Sequence, residues 1–257
     1  MDPVQPQPAP ARSPEPRRAH ERVRASDLSS LIEVEAHASG CTLCRLCRDR
    51  TQVVTGSGPT NADVLVVTEA PGYHEDRAGE HLVGRTGERF DRVLALAGLR
   101  REQVFITSVV KCRPQSGRTP FPDEVEACEG WLFREISLVS PRVIVTLGAL
   151  ALRLVTGRAE QLSNAHGRLL NAQVRGRDVL VWPLVHPGAA LHAARLGDQL
   201  EADARNLGAL LAGARASTVS EPTTSTNVVV DTPAITPPTA PPTSTESDPD
   251  AQMTLEF

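Results

Sequence analysis

The sequence contains no long apolar run and only one lysine. No stretch approaches the roughly 18 consecutive apolar residues of a transmembrane helix, and the N-terminus lacks the apolar segment of a secretory signal. These absences predict a soluble intracellular protein with no membrane partner. Lys111 is the only lysine among 27 basic residues, so arginine supplies nearly all of the positive charge. The net charge is -4, but six acidic and no basic residues follow Arg215, so residues 1–215 carry 27 bases against 25 acids. That net charge of +2 is too small to indicate a polyanionic partner by itself.

Glycine is absent from both ends of the chain. All 18 glycines lie within residues 28–213, whereas residues 1–27 hold six of the 21 prolines and residues 214–257 hold seven. Glycine serves turns and close backbone approaches, so its distribution marks the part of the chain that folds. We predict one domain at 28–213, between a disordered Pro/Arg-rich tail at 1–27 and a disordered Pro/Thr-rich tail at 214–257.

Short β-branched runs alternate with amphipathic stretches through the middle of the chain. The runs predict four strands, at residues 63–68, 103–110, 142–147 and 178–185. The stretches predict helices at residues 28–37, 87–98, 123–139, 148–155 and 196–211. This alternation predicts a three-layer α/β/α sandwich with a central four-stranded parallel sheet. Ligands of such sheets bind beyond the carboxyl ends of the strands, which makes Glu69, Ser108 and His186 candidate site residues.

Five cysteines in an intracellular chain are poor candidates for disulfides, so their spacing suggests a metal site. Cys41 and Cys44 form a C-x2-C pair, Cys47 follows it, and Cys112 and Cys128 lie further along the chain. Four thiolates can hold a zinc ion or a [4Fe-4S] cluster, and the spacing does not choose between them. The alternative is that Cys112 and Cys128 are small buried hydrophobic residues.

Four short motifs follow one another along the chain: CTLCRL (41–46), TEAPGYHED (68–76), VKCRP (110–114) and HPGAAL (186–191). In this order they resemble the family 4 uracil-DNA glycosylases, the iron–sulfur members of the uracil-DNA glycosylase superfamily. The resemblance runs from Cys41 to about Leu207. It implies a DNA repair enzyme that flips uracil, or a related damaged base, out of DNA and excises it by hydrolysis, leaving an abasic site.

The resemblance also implies a metal centre. Its ligands to a [4Fe-4S] cluster would be Cys41, Cys44, Cys112 and Cys128. Zinc is the alternative metal, and Cys47 is left as a spare thiol.

Roles for the site residues follow from the same resemblance. His186 would donate a hydrogen bond to the uracil anion, and Glu75 would position the attacking water. Glu69 and Ala70 would line the base. Leu191 would wedge into the opened duplex.

Three positions depart from the family's pattern in the predicted base pocket. Leu82 lies where relatives place an aromatic residue that stacks on uracil, and such stacking contributes roughly 1–3 kcal/mol. Ser108 replaces an asparagine that offers a donor and an acceptor in one plane. Gly117 replaces a further asparagine, one partner of the water held by Glu75. These departures leave an alternative function, an iron–sulfur DNA-binding repair protein of the same fold with weak or no glycosylase activity.

Large apolar residues reappear at the very end of the chain, after a long stretch poor in them. Gln252, Met253, Leu255 and Phe257 resemble the bacterial sliding-clamp-binding peptide, in which apolar side chains anchor in pockets and the glutamine makes hydrogen bonds. We therefore predict DNA and a bacterial sliding clamp as partners of a monomeric protein. Its predicted location is the cytoplasm, in association with the nucleoid.

Overall fold

A five-stranded sheet forms the centre of the protein in the computed structural model, which describes residues 24–219. The strands in chain order are β1 (Val64–Thr68), β2 (Val104–Ser108), β3 (Val143–Leu147), β4 (Leu170–Val174) and β5 (Arg177–Leu184). Their order in space is β2-β1-β3-β5-β4. Four strands are parallel, and β4 pairs antiparallel with β5 at one edge.

Helices cover both faces of this sheet. In chain order they are α1 (Leu31–Ser39), α2 (Tyr73–Ala78), α3 (Gly84–Leu96), α4 (Pro122–Val139), α5 (Ala149–Thr156), α6 (Leu162–Ala165), α7 (Pro187–Ala190) and α8 (Ala194–Val219). Residues of α1, α4 and α5 pack on one face, and residues of α3 and α8 pack on the other. The predicted three-layer sandwich is thereby confirmed.

Alternate residues of each central strand supply the two cores, because successive side chains of a strand point to opposite faces. In β1, Leu65 and Val67 belong to the core beneath α4, whereas Val64 and Val66 pack with Phe90 of α3. Every residue of β1, β2 and β3 is buried. This double burial explains the continuous apolar runs from which these strands were predicted.

The four predicted strands are all present, and β4 is an additional strand that the sequence did not predict. Asn171 and Gln173 of β4 are exposed, so the segment lacks the apolar run of a strand buried on both faces. The turn that joins β4 to β5 has φ +49 at Arg175 and +82 at Gly176. Left-handed backbone at both positions is the geometry of a tight hairpin turn.

The predicted helices are present, with ends that shift by a few residues. Helix α8 continues to Val219, past the predicted domain boundary at 213. Residues 1–23 and 220–257, which hold most of both predicted tails, lie outside the described part of the chain. Between residues 24 and 219, no helix is both long enough and apolar enough to cross a membrane.

Candidate functional site

The carboxyl ends of β1, β2 and β5 meet at one edge of the sheet, and the predicted site residues gather there. Pairing continues beyond the ends of β1 and β2. Val109 N–H donates to the Thr68 carbonyl (2.9 Å), and Val110 N–H donates to the Glu69 carbonyl (3.3 Å). The chain therefore leaves β1 on a fixed path. His186 reaches the same edge two residues after β5 ends.

His186 is a neutral hydrogen-bond donor at this edge. Its Nδ1 accepts the Gly188 N–H at 3.1 Å, which assigns the proton of the neutral ring to Nε2. Nε2 lies 2.9 Å from Oγ1 of Thr68 and donates to it. Burial lowers the pKa of His186 from 6.5 to about 4. The ring is therefore uncharged near neutral pH. Its Nε2–H can exchange the Thr68 hydroxyl for an acceptor oxygen of a ligand as its hydrogen-bond partner.

The Glu69 side chain connects the end of β1 to the start of α5. Its Oε1 accepts the Leu150 N–H at 3.1 Å, at a helix N-terminus where unpaired N–H groups favour a carboxylate. Gly148 permits this contact, because a Cβ there would lie 2.4 Å from Oε1 and because its φ is +97. Glu69 thus fixes the loop that begins at Ala70, which itself packs against the core.

Glu75 lies on α2 and contacts the loop that precedes α3. Its Oε1 accepts the Val83 N–H at 3.2 Å. On the other side, a Cβ at Gly72 would come within 2.6 Å of Oε2, so the lack of a side chain at Gly72 leaves room for the carboxylate. Glu75 and His186 therefore belong to separate hydrogen-bonded groups, one on Val83 and one on Thr68.

Two of the predicted base-binding side chains are buried. Ser108 is 0% exposed, and its hydroxyl donates to the Val110 carbonyl at 2.8 Å. Leu82 is 3% exposed, packs in the core with Phe90 and has φ +54. Gly117 is exposed, with φ +65 and open space where a side chain would be. The donor hydrogen of Ser108 is therefore used within the protein.

Leu191, the predicted wedge, directly follows the short helix α7 that begins after His186. It is partly buried, and the next residue, His192, is exposed.

The predicted clamp-binding residues Gln252, Met253, Leu255 and Phe257 lie outside the described residues.

All five cysteines line one cavity, including Cys47. The apolar part of its wall comes from α1, α4 and the loop before β1, through Ala38, Trp131 and Val53. No three side chains of the kinds that bind metals converge closely enough to hold a single ion anywhere in residues 24–219.

Burial and two nitrogen donors determine the electrostatics of this cavity. Burial raises the pKa of Cys128 to about 12 and also raises the pKa of Cys112. Nη1 of Arg50 lies 3.2 Å from the Cys112 sulfur, and the Lys111 N–H lies 3.3 Å from the Cys128 sulfur. Both donors would stabilise a thiolate more than a thiol.

A buried ion pair below the end of β2 was not predicted from the sequence. Lys111 and Glu135 are each 1% exposed, and Lys111 Nζ lies 2.7 Å from Glu135 Oε2. Lys111 Nζ also donates to the Thr107 hydroxyl (2.6 Å) and to the Ser108 carbonyl (2.8 Å). Glu135 accepts the Gly56 N–H at 2.8 Å. The pair thus ties the end of β2 to α4 and to the loop before β1, and the only sequence signal for it was a solitary lysine.

Comparison with known proteins assigns this chain to a family. A sequence profile of the Uracil DNA glycosylase superfamily matches residues 55–207. The Type-4 uracil-DNA glycosylase of Archaeoglobus fulgidus is 36% identical over 187 residues, 71% of this chain and 94% of that protein. The Type-4 enzyme of Pyrobaculum aerophilum is 37% identical, over 69% of this chain and 91% of its own. That of Thermotoga maritima is 39% identical, over 62% and 81%. The chain belongs to the uracil DNA glycosylase superfamily, in its type-4 group.

Proposed function

We propose that the protein is a DNA repair glycosylase that flips uracil, or a related damaged base, out of DNA and hydrolyses its glycosidic bond. The observation that carries this proposal is the neutral His186, whose Nε2–H points into the carboxyl edge of the sheet. The type-4 relatives carry the name of this activity.

The charge state of His186 suits the reaction. Cleavage of the bond between sugar and base leaves an oxocarbenium-like sugar and an anionic uracil, so a donor is needed where negative charge develops. A neutral imidazole stabilises that charge by a hydrogen bond without first holding a positive charge in a buried site. With its pKa near 4, His186 meets this requirement at neutral pH.

Glu75 would hold the attacking water beneath the sugar. Its Oε1 is anchored by the Val83 N–H, and Oε2 lies beside Gly72, where nothing bulkier than hydrogen projects. A carboxylate with one anchored oxygen can orient a water with the other. Glu69 contributes by fixing the β1–α2 loop through α5, so that the backbone near Ala70 can contact the base.

The contact made by Ser108 supports the second candidate, a DNA-binding repair protein with weak or no glycosylase activity. Its hydroxyl already donates to Val110 and offers the base one acceptor at most. Leu82 provides apolar contact without an aromatic face. The site thus retains the groups for bond cleavage while its recognition of the base is reduced.

All five cysteines line one cavity, and four thiolates can hold either a [4Fe-4S] cluster or a zinc ion. The similarity to the type-4 enzymes favours the cluster, with zinc as the alternative. We propose Cys41, Cys44, Cys112 and Cys128 as ligands of a [4Fe-4S] cluster, with Cys47 as a neighbouring thiol. Such a cluster would serve as a structural cross-link between the 41–44 segment and α4. The cluster would take no part in the chemistry of base excision.

The C-terminal peptide would bring this activity to a bacterial sliding clamp. A Pro/Thr-rich tether raises the effective concentration of a domain near its partner without a rigid interface. Deletion of residues 252–257 should abolish binding to the purified clamp and leave excision on short oligonucleotides unchanged. Unaltered clamp binding would refute this part of the proposal. The protein would act as a monomer, with Leu191 inserted into the opened duplex. Binding to the clamp would locate it in the cytoplasm, at the nucleoid.

A cleavage assay tests the main proposal. The full-length protein is incubated with oligonucleotides that contain one uracil, single-stranded or opposite each base, and alkali then breaks the chain at abasic sites. We expect breaks at uracil and none in a matched thymine oligonucleotide. Binding without breaks at any uracil would instead establish the second candidate.

A further inference from the structure

Four arginines converge on one surface cleft beside the cysteine cavity. The cleft has a volume of about 250 Å³, and its basic lining consists of Arg45, Arg48, Arg113 and Arg118. The 3-10 turn that follows Cys44 supplies the first two, and the loop that follows β2 supplies the others. The planar guanidinium of arginine is the side-chain group best shaped to bind phosphate. Four arginines at one cleft therefore suggest a phosphate-bearing ligand.

Carboxylates hold three of these arginines in place. Arg45 pairs with the exposed Asp123, and its Nε lies 3.5 Å from Glu124 Oε1. Glu124, 0% exposed, accepts both Nη atoms of Arg118 at 2.7 and 2.8 Å. Asp76, 1% exposed, lies 3.3 Å from Nε of Arg113. A guanidinium has five N–H donors, so each of these side chains keeps donors for a ligand. The Arg48 side chain is exposed and makes no hydrogen bond or ion pair within residues 24–219, so structural pairing does not account for it.

Two exposed aromatic rings contact arginines of this cleft. Tyr73 is 57% exposed, and the guanidinium carbon of Arg113 is 5.7 Å from its ring centroid. Phe121 is 44% exposed, and the guanidinium carbon of Arg118 is 4.0 Å from its ring centroid. The chain has a single tyrosine and five phenylalanines, so two exposed rings next to arginines of the same cleft are a concentrated feature.

We propose that this cleft binds a single-stranded segment of the DNA substrate, with phosphates among the arginines and unpaired bases stacked on Tyr73 and Phe121. Basic grooves flanked by aromatic side chains bind single strands in this way, because every base has a face that can stack. Bases of an intact duplex are already stacked on one another and cannot use these rings. The inference rests on the proposed function, since it takes DNA to be the substrate.

The position of the cleft fits a strand that also passes the active site. Tyr73 opens α2, the helix that carries Glu75 two residues later. Arg113 follows the end of β2, five residues after Ser108. The same two loops therefore supply the predicted base pocket and one side of the cleft.

A binding measurement with the full-length protein and a labelled, uracil-free, single-stranded oligonucleotide tests the proposal. The oligonucleotide is longer than the roughly 4–16 nucleotides that single-strand-binding folds cover. Arg48→Glu should raise the single-strand Kd about tenfold, and Arg48→Ala should reduce the slope of log K against log salt by about 0.7. Tyr73→Ala should raise the Kd about tenfold, while Tyr73→Phe, which keeps the ring, should restore it. Arg100→Glu is the matched control, because Arg100 is an exposed arginine that precedes β2, at the opposite end of the strand from the cleft.

Single-strand affinities of Arg48→Glu and Tyr73→Ala equal to that of the wild type would overturn the proposal. Equal loss of single-strand and duplex binding would also overturn it, since the cleft would then contact only backbone phosphates. If the wild type excises no uracil but these variants still lose single-strand binding selectively, the proposed function fails and this inference stands.

Discussion

The charge of one imidazole should set the acid limit of the reaction. The pKa of His186 is lowered by burial to about 4, so the neutral donor form persists well below the ordinary histidine value of 6.5. Protonation would place a positive charge in a buried site and would change the group that meets the uracil anion. We therefore expect no titration of the single-turnover excision rate with a midpoint near pH 6.5. A rate that falls with that midpoint would show that His186 is exposed to solvent in the working enzyme.

Ser108 limits recognition of the base through one contact. Its hydroxyl donates to Val110, so it cannot supply the paired donor and acceptor of an amide. Asparagine is larger than serine at a position 0% exposed, so Ser108→Asn should lower the melting temperature. It should also raise uracil excision by roughly tenfold, the effect of one added hydrogen bond of about 1.4 kcal/mol. Leu82→Phe should add a stacking face, although a larger side chain at a position 3% exposed strains the core. A wild-type rate equal to that of Ser108→Asn would mean that the pocket is not weakened.

At the level of elements, the glycine that precedes α2 leaves room for the carboxylate that this helix carries. A Cβ at Gly72 would lie 2.6 Å from Glu75 Oε2, so Gly72→Ala should displace the carboxylate. Displacements of about 1 Å can slow catalysis up to about 100-fold. The melting temperature should stay near that of the wild type, because a flexible side chain can move aside. Gly130→Ala is the control, since its Cβ would meet only Ala25 at 3.7 Å, and it should leave excision unchanged. Unaltered excision by Gly72→Ala would separate Glu75 from the reaction.

The sequence predicted elements whose pattern reflects double burial and missed those that depend on contact with other parts of the chain. The runs at β1 and β3 are apolar throughout because both faces are covered, so they were recognised. Strand β4 has one exposed face and lacked that signal. The contact between Glu75 and Val83 and the pair of Lys111 with Glu135 join separate elements. No local spacing encodes such pairs, so the resemblance could name Glu75 but not its anchor.

For the whole molecule, the cysteines should determine whether the cluster and the fold persist together. Four thiols from three separated segments would cross-link the 41–44 region, the end of β2 and α4 through one cluster. Cys128→Ala should lose iron and visible absorbance, and the protein should become less soluble. Cys47 lines the same cavity, so Cys47→Ala is the matched control and should retain both. Full iron content in Cys128→Ala, or loss of iron in Cys47→Ala, would contradict the proposed ligand set.

The proposed function of the whole molecule depends on the hydrogen bond that His186 would donate to the departing uracil. The most direct measurement is the single-turnover rate of uracil release by the wild-type protein and by His186→Ala, on the same single-stranded uracil oligonucleotide. Removal of a donor to a developing oxyanion costs about 2.7–4 kcal/mol, so the variant should be roughly 100- to 1,000-fold slower than the wild type. Equal rates for the two proteins, or the absence of uracil release by the wild type, would contradict the account.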